Sequence, residues 1–174
     1  MPTVCFSIIC SLIFITFFEN YISSPHIIVT GKGLGGGMPI GAFISSFEIM
    51  SCLKQQPKLG HITTFGGHPV IAASALATLK EITNSNLMQQ ALEKEQLFRK
   101  FLVHPLIKEI RGIGLMLAII TPSESITNKL VLESQDQGLI LFWLLFEPKA
   151  VRITPPLTIS NDEIIAGCSI IIDI

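Results

Sequence analysis

A single lysine stands among glycines in the segment "HIIVTGKGLGGGMPIGAF", residues 26–43, where Lys32 lies within a run of five glycines in seven residues. A lysine at the end of a strand can form a Schiff base with an aldehyde, provided that its amine is deprotonated. The pKa of a free lysine side chain is ~10.4, so the amine must lose its proton at a lower pH than usual. Burial or a neighbouring cation assists that loss. Glycines let the backbone bend tightly and approach a flat cofactor. A glycine-rich turn with a solvent-exposed lysine is the alternative that spacing leaves open.

Two phosphate-binding interpretations of the same segment are weaker. Residues 31–36 satisfy the dinucleotide pattern G-x-G-x-x-G, which requires a helix to start within the glycines and an acidic residue about 20 positions later. Pro39 interrupts such a helix, and residues 52–54 read "CLK". A Walker A loop requires Ser or Thr after its lysine, whereas Gly33 follows Lys32.

Composition excludes several classes of protein. The chain has 174 residues, 49% hydrophobic and 14% charged, which is too apolar for a disordered chain. A net charge of −1 gives no electrostatic footprint for nucleic acid. The four cysteines form no C-x-x-C pair and the four histidines have no metal-ligand spacing, so we expect neither a metal site nor a disulfide framework. Reduced thiols favour a cytoplasmic location.

The N-terminal segment, residues 1–18, is atypically apolar. Residues 4–18, "VCFSIICSLIFITFF", carry no charge, yet a membrane-spanning helix needs about 20 apolar residues. A signal peptide needs a basic start, and no Lys or Arg precedes Lys32. A buried strand pair, a frameshift product and a membrane anchor remain open, with the anchor the least favoured.

Strands and helices alternate along the rest of the chain, which predicts an α/β fold. We expect "HIIV" and "PIGAF" to be inner strands of a parallel sheet, and "IRGIGLMLAII", "LILFWLLF" and "AVRITPPLTI" to be one strand each. Helices are predicted for residues 47–55, from Pro69, over residues 87–102, over residues 124–137, and after Ser160, which has capping-box spacing. In the second long helix Lys94 is expected on the polar face, and Trp143 is expected in the core.

Several motifs resemble the class III pyridoxal-phosphate aminotransferases, the fold type I family of acetylornithine, ornithine and 4-aminobutyrate aminotransferases. "TGKGLGGGMPIGA" resembles the family's lysine motif, and "HITTFGGHP" resembles its "TFGGNP" loop. "IRGIGLMLAI" and "VRITPPLTIS" are similar to a small-domain strand and to the C-terminal "RxxPPL" motif. The motifs stand in the family's order and spacing from about Phe18 to the C-terminus.

The resemblance implies roles for individual residues. Lys32 matches the lysine that forms the internal aldimine with pyridoxal 5′-phosphate and moves the proton between substrate and cofactor. Thr64 matches the threonine that binds the cofactor phosphate across a homodimer interface. Arg152 matches an arginine near the substrate, whose planar fork of donors suits a carboxylate, although in some members it pairs with a glutamate. His68 stands where the family usually has asparagine.

The resemblance also implies that the chain is a truncated family member. Residues 19–84 would be a remnant of the large, cofactor-binding domain, and residues 85–174 the small domain. The phosphate loop, the ring-stacking aromatic residue and the aspartate at the pyridine nitrogen would lie in a preceding part. We therefore expect either an aminotransferase that acts on amino acids and 2-oxo acids, or a non-catalytic remnant or subunit that needs a separate N-terminal half.

Overall fold

The computed structural model describes residues 25–174 and the two-residue strand β1, Val4–Cys5. Most of the apolar segment 1–18 therefore lies outside the described residues, as do the three interpretations of that segment. The described chain forms two compact units, one of residues 25–85 and one of β1 with residues 86–174. No helix in the described ranges is both long and apolar enough to cross a bilayer.

The unit of residues 25–85 is built on a two-stranded sheet. β2, Ile27–Gly31, pairs antiparallel with β3, Gly41–Ser45, with Val29 opposite Phe43. The expected parallel arrangement is therefore wrong for this pair, because the short glycine connection returns the chain alongside the strand it has just left. A 3-10 turn, Lys32–Gly35, begins where β2 ends.

Two helices complete this unit. α1, Phe47–Ser51, is capped by Ser46 and continues into a 3-10 turn, Cys52–Lys54, so that the helix predicted over residues 47–55 is confirmed in its first five residues. α2, Pro69–Asn84, has its proline at the first turn, where a missing N–H costs nothing. Residues 55–68 connect them through consecutive turns.

The unit of residues 86–174 contains a four-stranded antiparallel sheet in the order β4-β5-β8-β7. Its strands are β4, Glu109–Ile113; β5, Met116–Ile120; β7, Phe142–Leu144; and β8, Glu147–Ile153. β6, Leu139–Ile140, pairs parallel with β1. Two segments expected to be single strands are thus divided. "IRGIGLMLAII" is a hairpin because Gly112 and Gly114 have φ of +114° and +58°, which turn the chain.

Three helices complete this unit: α3, Leu87–Phe101; α4, Glu124–Asp136; and α5, Asn161–Asp173, which packs against the other two. α4 is followed by Gly138 at φ +83°, and the predicted capping box of α5 is present. Hydrogen bonds from the Ser160 backbone and hydroxyl lower the pKa of Glu163 in that box.

Two expectations about side-chain placement in this unit are wrong. Lys94, expected on the polar face of α3, is buried because its Nζ donates to the carbonyl oxygen of Leu157 at 2.7 Å. Burial lowers the pKa of Lys94, although the negative charges of Glu163 and Glu93 act to raise it. Trp143, expected in the core, is half-exposed on β7, and its indole N–H donates to Asn128 Oδ1 at 2.7 Å.

Candidate active site

Lys32 occupies the point where β2 ends and the 3-10 turn begins. Its φ is +48°, in the left-handed region that non-glycine residues seldom adopt, and its side chain is exposed. Such backbone conformations are concentrated at functional sites. No α-helix follows the glycines, because the chain enters β3 at Gly41. The requirement of the dinucleotide pattern is therefore not met.

The glycines after Lys32 hold the turn against α2. Ser74 Oγ on α2 donates to the carbonyl oxygen of Gly35 at 2.7 Å, and Gly35 is buried. Gly36 has φ +57°, and a Cβ there would collide with Thr78 Oγ1. Gly37, at φ +101°, has no atom within 4 Å of the position that a Cβ would occupy. The turn is thus fixed on one side by α2 and leaves open space at Gly37, and Lys32 at its start is exposed.

Thr64 lies in the exposed turn that precedes α2. The turn is closed by the N–H of Gly66, which donates to Thr63 O at 3.2 Å, and by the N–H of His68, which donates to Phe65 O at 3.2 Å. The Thr64 side chain is exposed, so its hydroxyl is accessible to a ligand. Lys32 and Thr64 belong to the same unit, and α2 connects them. This helix packs against the turn that begins at Lys32, and it starts where the turn that contains Thr64 ends.

His68 stands at the N-cap of α2 without capping it through its side chain. Asparagine is among the best N-cap residues because its side-chain oxygen accepts a hydrogen bond from the first turn of the helix. The departure at this position therefore removes a side-chain acceptor for the first turn of α2, where Pro69 has no N–H and the N–H groups of Val70 and Ile71 lie before the first backbone bond of the helix, from Ala72 to His68.

Arg152 lies in the other unit, on β8, opposite Ala118 of β5 and Phe142 of β7. Its side chain is half-buried, and its guanidinium carbon is 5.4 Å from the centre of the Phe142 ring, a cation–π distance. The segment that follows β8 is fixed by Thr154 and Pro155, both buried. The ring and the strand ladder hold the guanidinium in place.

Sequence reasoning did not single out Thr30, which the structure places two residues before Lys32. Thr30 is 7% exposed, and its Oγ1 has no hydrogen-bond partner within the part of the chain that the structure describes. A buried hydroxyl normally has a partner, because burial without one is costly. No sequence signal could have found it, since a threonine in a strand is ordinary.

The described residues contain no group of three or more metal-ligating side chains. His26, His61 and His68 are exposed, and His104 Nδ1 accepts a hydrogen bond from the N–H of Leu106 at 3.2 Å. The residues of the turn that begins at Lys32 fit covalent capture of an aldehyde cofactor. Lys32 places an exposed amine at the end of β2, and Gly37 in the same glycine-rich segment leaves open space.

Residues 18–174 match the family model described as "Aminotransferase class-III". The chain belongs to this family. It is 38% identical over 152 residues to a putrescine aminotransferase from Pectobacterium atrosepticum, a match that covers 83% of this chain and 32% of the relative. The chain thus spans about a third of the length of that relative.

Solved structures give the same family. An ornithine aminotransferase from Plasmodium yoelii superimposes with a TM-score of 0.77 at 28% identity, covering 89% of this chain and 42% of that one. An acetylornithine aminotransferase from Elizabethkingia anophelis gives a TM-score of 0.76 at 30% identity, covering 89% and 40%. The expected α/β fold, part of a fold type I pyridoxal-phosphate-dependent transferase, is confirmed.

Proposed function

We propose that this chain is part of a pyridoxal-phosphate-dependent aminotransferase that moves an amino group between an amino acid or ω-amino compound and a 2-oxo acid. The observation that carries the proposal is Lys32, an exposed amine with left-handed backbone at the end of β2, in a glycine turn fixed by α2. In this proposal residues 19–84 belong to the cofactor-binding large domain and residues 85–174 form the small domain.

Each site residue has a distinct role in the proposal. Lys32 Nζ holds the cofactor covalently and carries the proton to and from the substrate carbon. The hydroxyl of Thr64 donates a hydrogen bond to the cofactor phosphate of a neighbouring subunit, and this role requires the protein to be a homodimer. Arg152 binds the substrate carboxylate, for which a planar fork of donors is well suited. The bound cofactor supplies an electron sink for the substrate carbanion. We also propose a cytoplasmic location, supported by the free thiols of Cys52 and Cys168.

Borohydride reduction after incubation with pyridoxal phosphate tests the role of Lys32. We expect the reduced label on the peptide that contains Lys32, and its loss in Lys32→Arg. Lys54, also exposed and beside an aromatic ring at 4.8 Å, is the matched control, and Lys54→Arg should leave the label unchanged. Label spread evenly over Lys54, Lys80 and the other lysines would contradict the proposal.

A half-reaction tests transamination separately from capture. The purified 174-residue polypeptide is mixed with pyridoxal phosphate and with glutamate, ornithine, 4-aminobutyrate or putrescine, and pyridoxamine phosphate is measured. We expect no stoichiometric conversion by this polypeptide alone, because the resemblance assigns the ring-binding aspartate and the phosphate loop to a portion that it does not span. Stoichiometric conversion that requires Lys32 would show that these 174 residues suffice.

A second candidate function is a subunit that needs a separate N-terminal half, or a remnant without catalysis. The observation that favours it is the apolar surface of residues 25–85, the lysine unit, where Val29 is 71% exposed and Phe47 is 80% exposed. Co-expression with the N-terminal part of a class III relative distinguishes the two forms of this candidate. A stable complex with Lys32-dependent activity indicates a subunit, and no complex indicates a remnant.

A further inference from the structure

The hydroxyl of Thr30 is buried and has no hydrogen-bond partner among the described residues, although the residues on either side of it pair in regular register with β3. Thr30 pairs with Ala42, which brings no polar side chain to it. A hydroxyl in this position loses its hydrogen bonds to water and gains none from the described residues. Each such group in a native structure requires an explanation, and a ligand or a moving side chain is one.

Among polar side chains, that of Lys32 is the nearest to Thr30 along the chain, and its amine can donate the missing hydrogen bond. One residue, Gly31, separates the two positions, and its backbone is extended, so their Cα atoms lie no more than about 7 Å apart. A lysine with four methylenes covers that span. The Lys32 amine is now in solvent, and an amine that turns toward the strand must exchange its water for another acceptor.

We propose that Thr30 is a positioning residue for Lys32: its Oγ1 accepts a hydrogen bond from Lys32 Nζ when that side chain turns from solvent toward β2. This inference rests on the proposed role of Lys32 in cofactor capture. The hydroxyl limits the amine to one direction before the cofactor arrives, and thereby favours covalent capture. Thr30 touches neither substrate nor cofactor in this arrangement and acts only through Lys32.

The test compares Thr30→Val, which keeps the shape and removes the hydroxyl, with Thr30→Ser, which keeps the hydroxyl. Pyridoxal phosphate is titrated into the full 174-residue chain, and capture is read from visible absorbance and from borohydride trapping at Lys32. We expect roughly fivefold weaker capture by Thr30→Val, the loss typical of one hydrogen bond, and wild-type capture by Thr30→Ser. Pyridoxamine phosphate, which carries an amine and cannot bond to Lys32, should bind all three chains equally.

Stability of the chain without cofactor provides a second measurement. Thr30→Val should not lower the urea midpoint, because the hydroxyl has no partner among the described residues to lose. Thr127→Val is the matched control: Thr127 is also buried, but its hydroxyl is 2.7 Å from that of Thr121, so its removal should lower the midpoint and leave capture unchanged.

Three results would overturn the inference on Thr30. They are unchanged capture by Thr30→Val, equal weakening for pyridoxal phosphate and pyridoxamine phosphate, and a urea midpoint that falls as far as in Thr127→Val. Failure of the proposed function looks different, because the wild-type chain then captures no pyridoxal phosphate at Lys32. In that case the inference on Thr30 fails with it.

Discussion

The two units differ in how completely they bury their own apolar side chains. In residues 86–174 the sheet and helices enclose fully buried side chains such as Phe98, Ile119 and Ile164. In the described residues 25–85 the buried hydrophobic side chains are Leu34 and Ala75 alone, whereas many larger ones are exposed. Exposed apolar patches of this kind mark surfaces that bind other protein. The C-terminal unit, residues 86–174, therefore has a core of its own, whereas the described residues of the lysine unit leave many large apolar side chains exposed.

The largest expected effect compares a phenylalanine from each unit. Phe98→Ala should lower the free energy of unfolding by about 3–5 kcal/mol, because it leaves a cavity in a packed core. Phe47→Ala, at a side chain that is 80% exposed, should change it by less than about 0.5 kcal/mol. Urea unfolding followed by circular dichroism measures both. Equal losses would show that the lysine unit buries Phe47 in solution and would remove the contrast.

A pH titration compares a cysteine from each unit. Burial raises the pKa of Cys168 from 9.0 to about 12, whereas Cys52 is exposed. The unfolded chain therefore loses its Cys168 proton at lower pH than the folded chain does. The stability that this thiol contributes is complete below pH 9.0 and is lost as the pH rises toward about 12.

Chemical unfolding between pH 8 and 11 measures this loss, and Cys168→Ala should flatten the profile over that range. Alkylation followed by peptide mapping gives an independent check, since Cys52 should react in the folded chain and Cys168 only after unfolding. Rapid alkylation of Cys168 in the folded chain would contradict its burial.

An ion-pair network sharpens the comparison within the C-terminal unit. Glu95, buried on α3, accepts from Arg99 at 2.8 Å and from the N–H of Gly114 at 2.5 Å. Glu95→Ala should cost about 2 kcal/mol, since it leaves charged and buried donors unpaired. Glu109→Ala removes an equally short but exposed pair with Arg111 and should cost about 0–1 kcal/mol. Thermal unfolding of the two variants decides, and equal costs would mean that burial does not strengthen the network.

The smallest expected effect is a gain in the lysine unit. His68→Asn should stabilise α2 by about 1 kcal/mol, because asparagine caps a helix N-terminus that His68 leaves uncapped. His68→Ala is the control and should give no gain. Circular dichroism during thermal unfolding measures the change. A loss of stability in His68→Asn would show that His68 makes a contact that asparagine cannot replace.

Helices and turns were predictable from the sequence because their signals are local. The proline at the first turn of α2, the Ser160–Glu163 capping box and Gly138 each act within a few residues. Strand pairing was not predictable, since an apolar run does not say which strand lies beside it. "HIIV" and "PIGAF" were recognised as strands, but their antiparallel pairing was missed.

Side-chain burial in the C-terminal unit was harder to predict than element type. Lys94 was assigned to the exposed face by periodicity, yet a carbonyl oxygen distant in sequence holds its amine inside. The candidate site depends on a family resemblance, because residue spacing alone did not decide between two interpretations of Lys32. One was a lysine that forms a Schiff base, and the other was an exposed lysine in a glycine-rich turn. The roles of Lys32, Thr64 and Arg152 remain predictions.

The position of Trp143 allows the unfolding of the two units to be distinguished by tryptophan fluorescence. It is the only tryptophan in the sequence, and it lies on β7 in the C-terminal unit, half-exposed, with its indole N–H bonded to Asn128. Intrinsic tryptophan fluorescence therefore reports the unfolding of the C-terminal unit and is silent for residues 25–85. Circular dichroism at 222 nm reports helices in both. A fluorescence transition that coincides with the ellipticity transition indicates one cooperative molecule, and two separated transitions give the stability of each unit from a single sample.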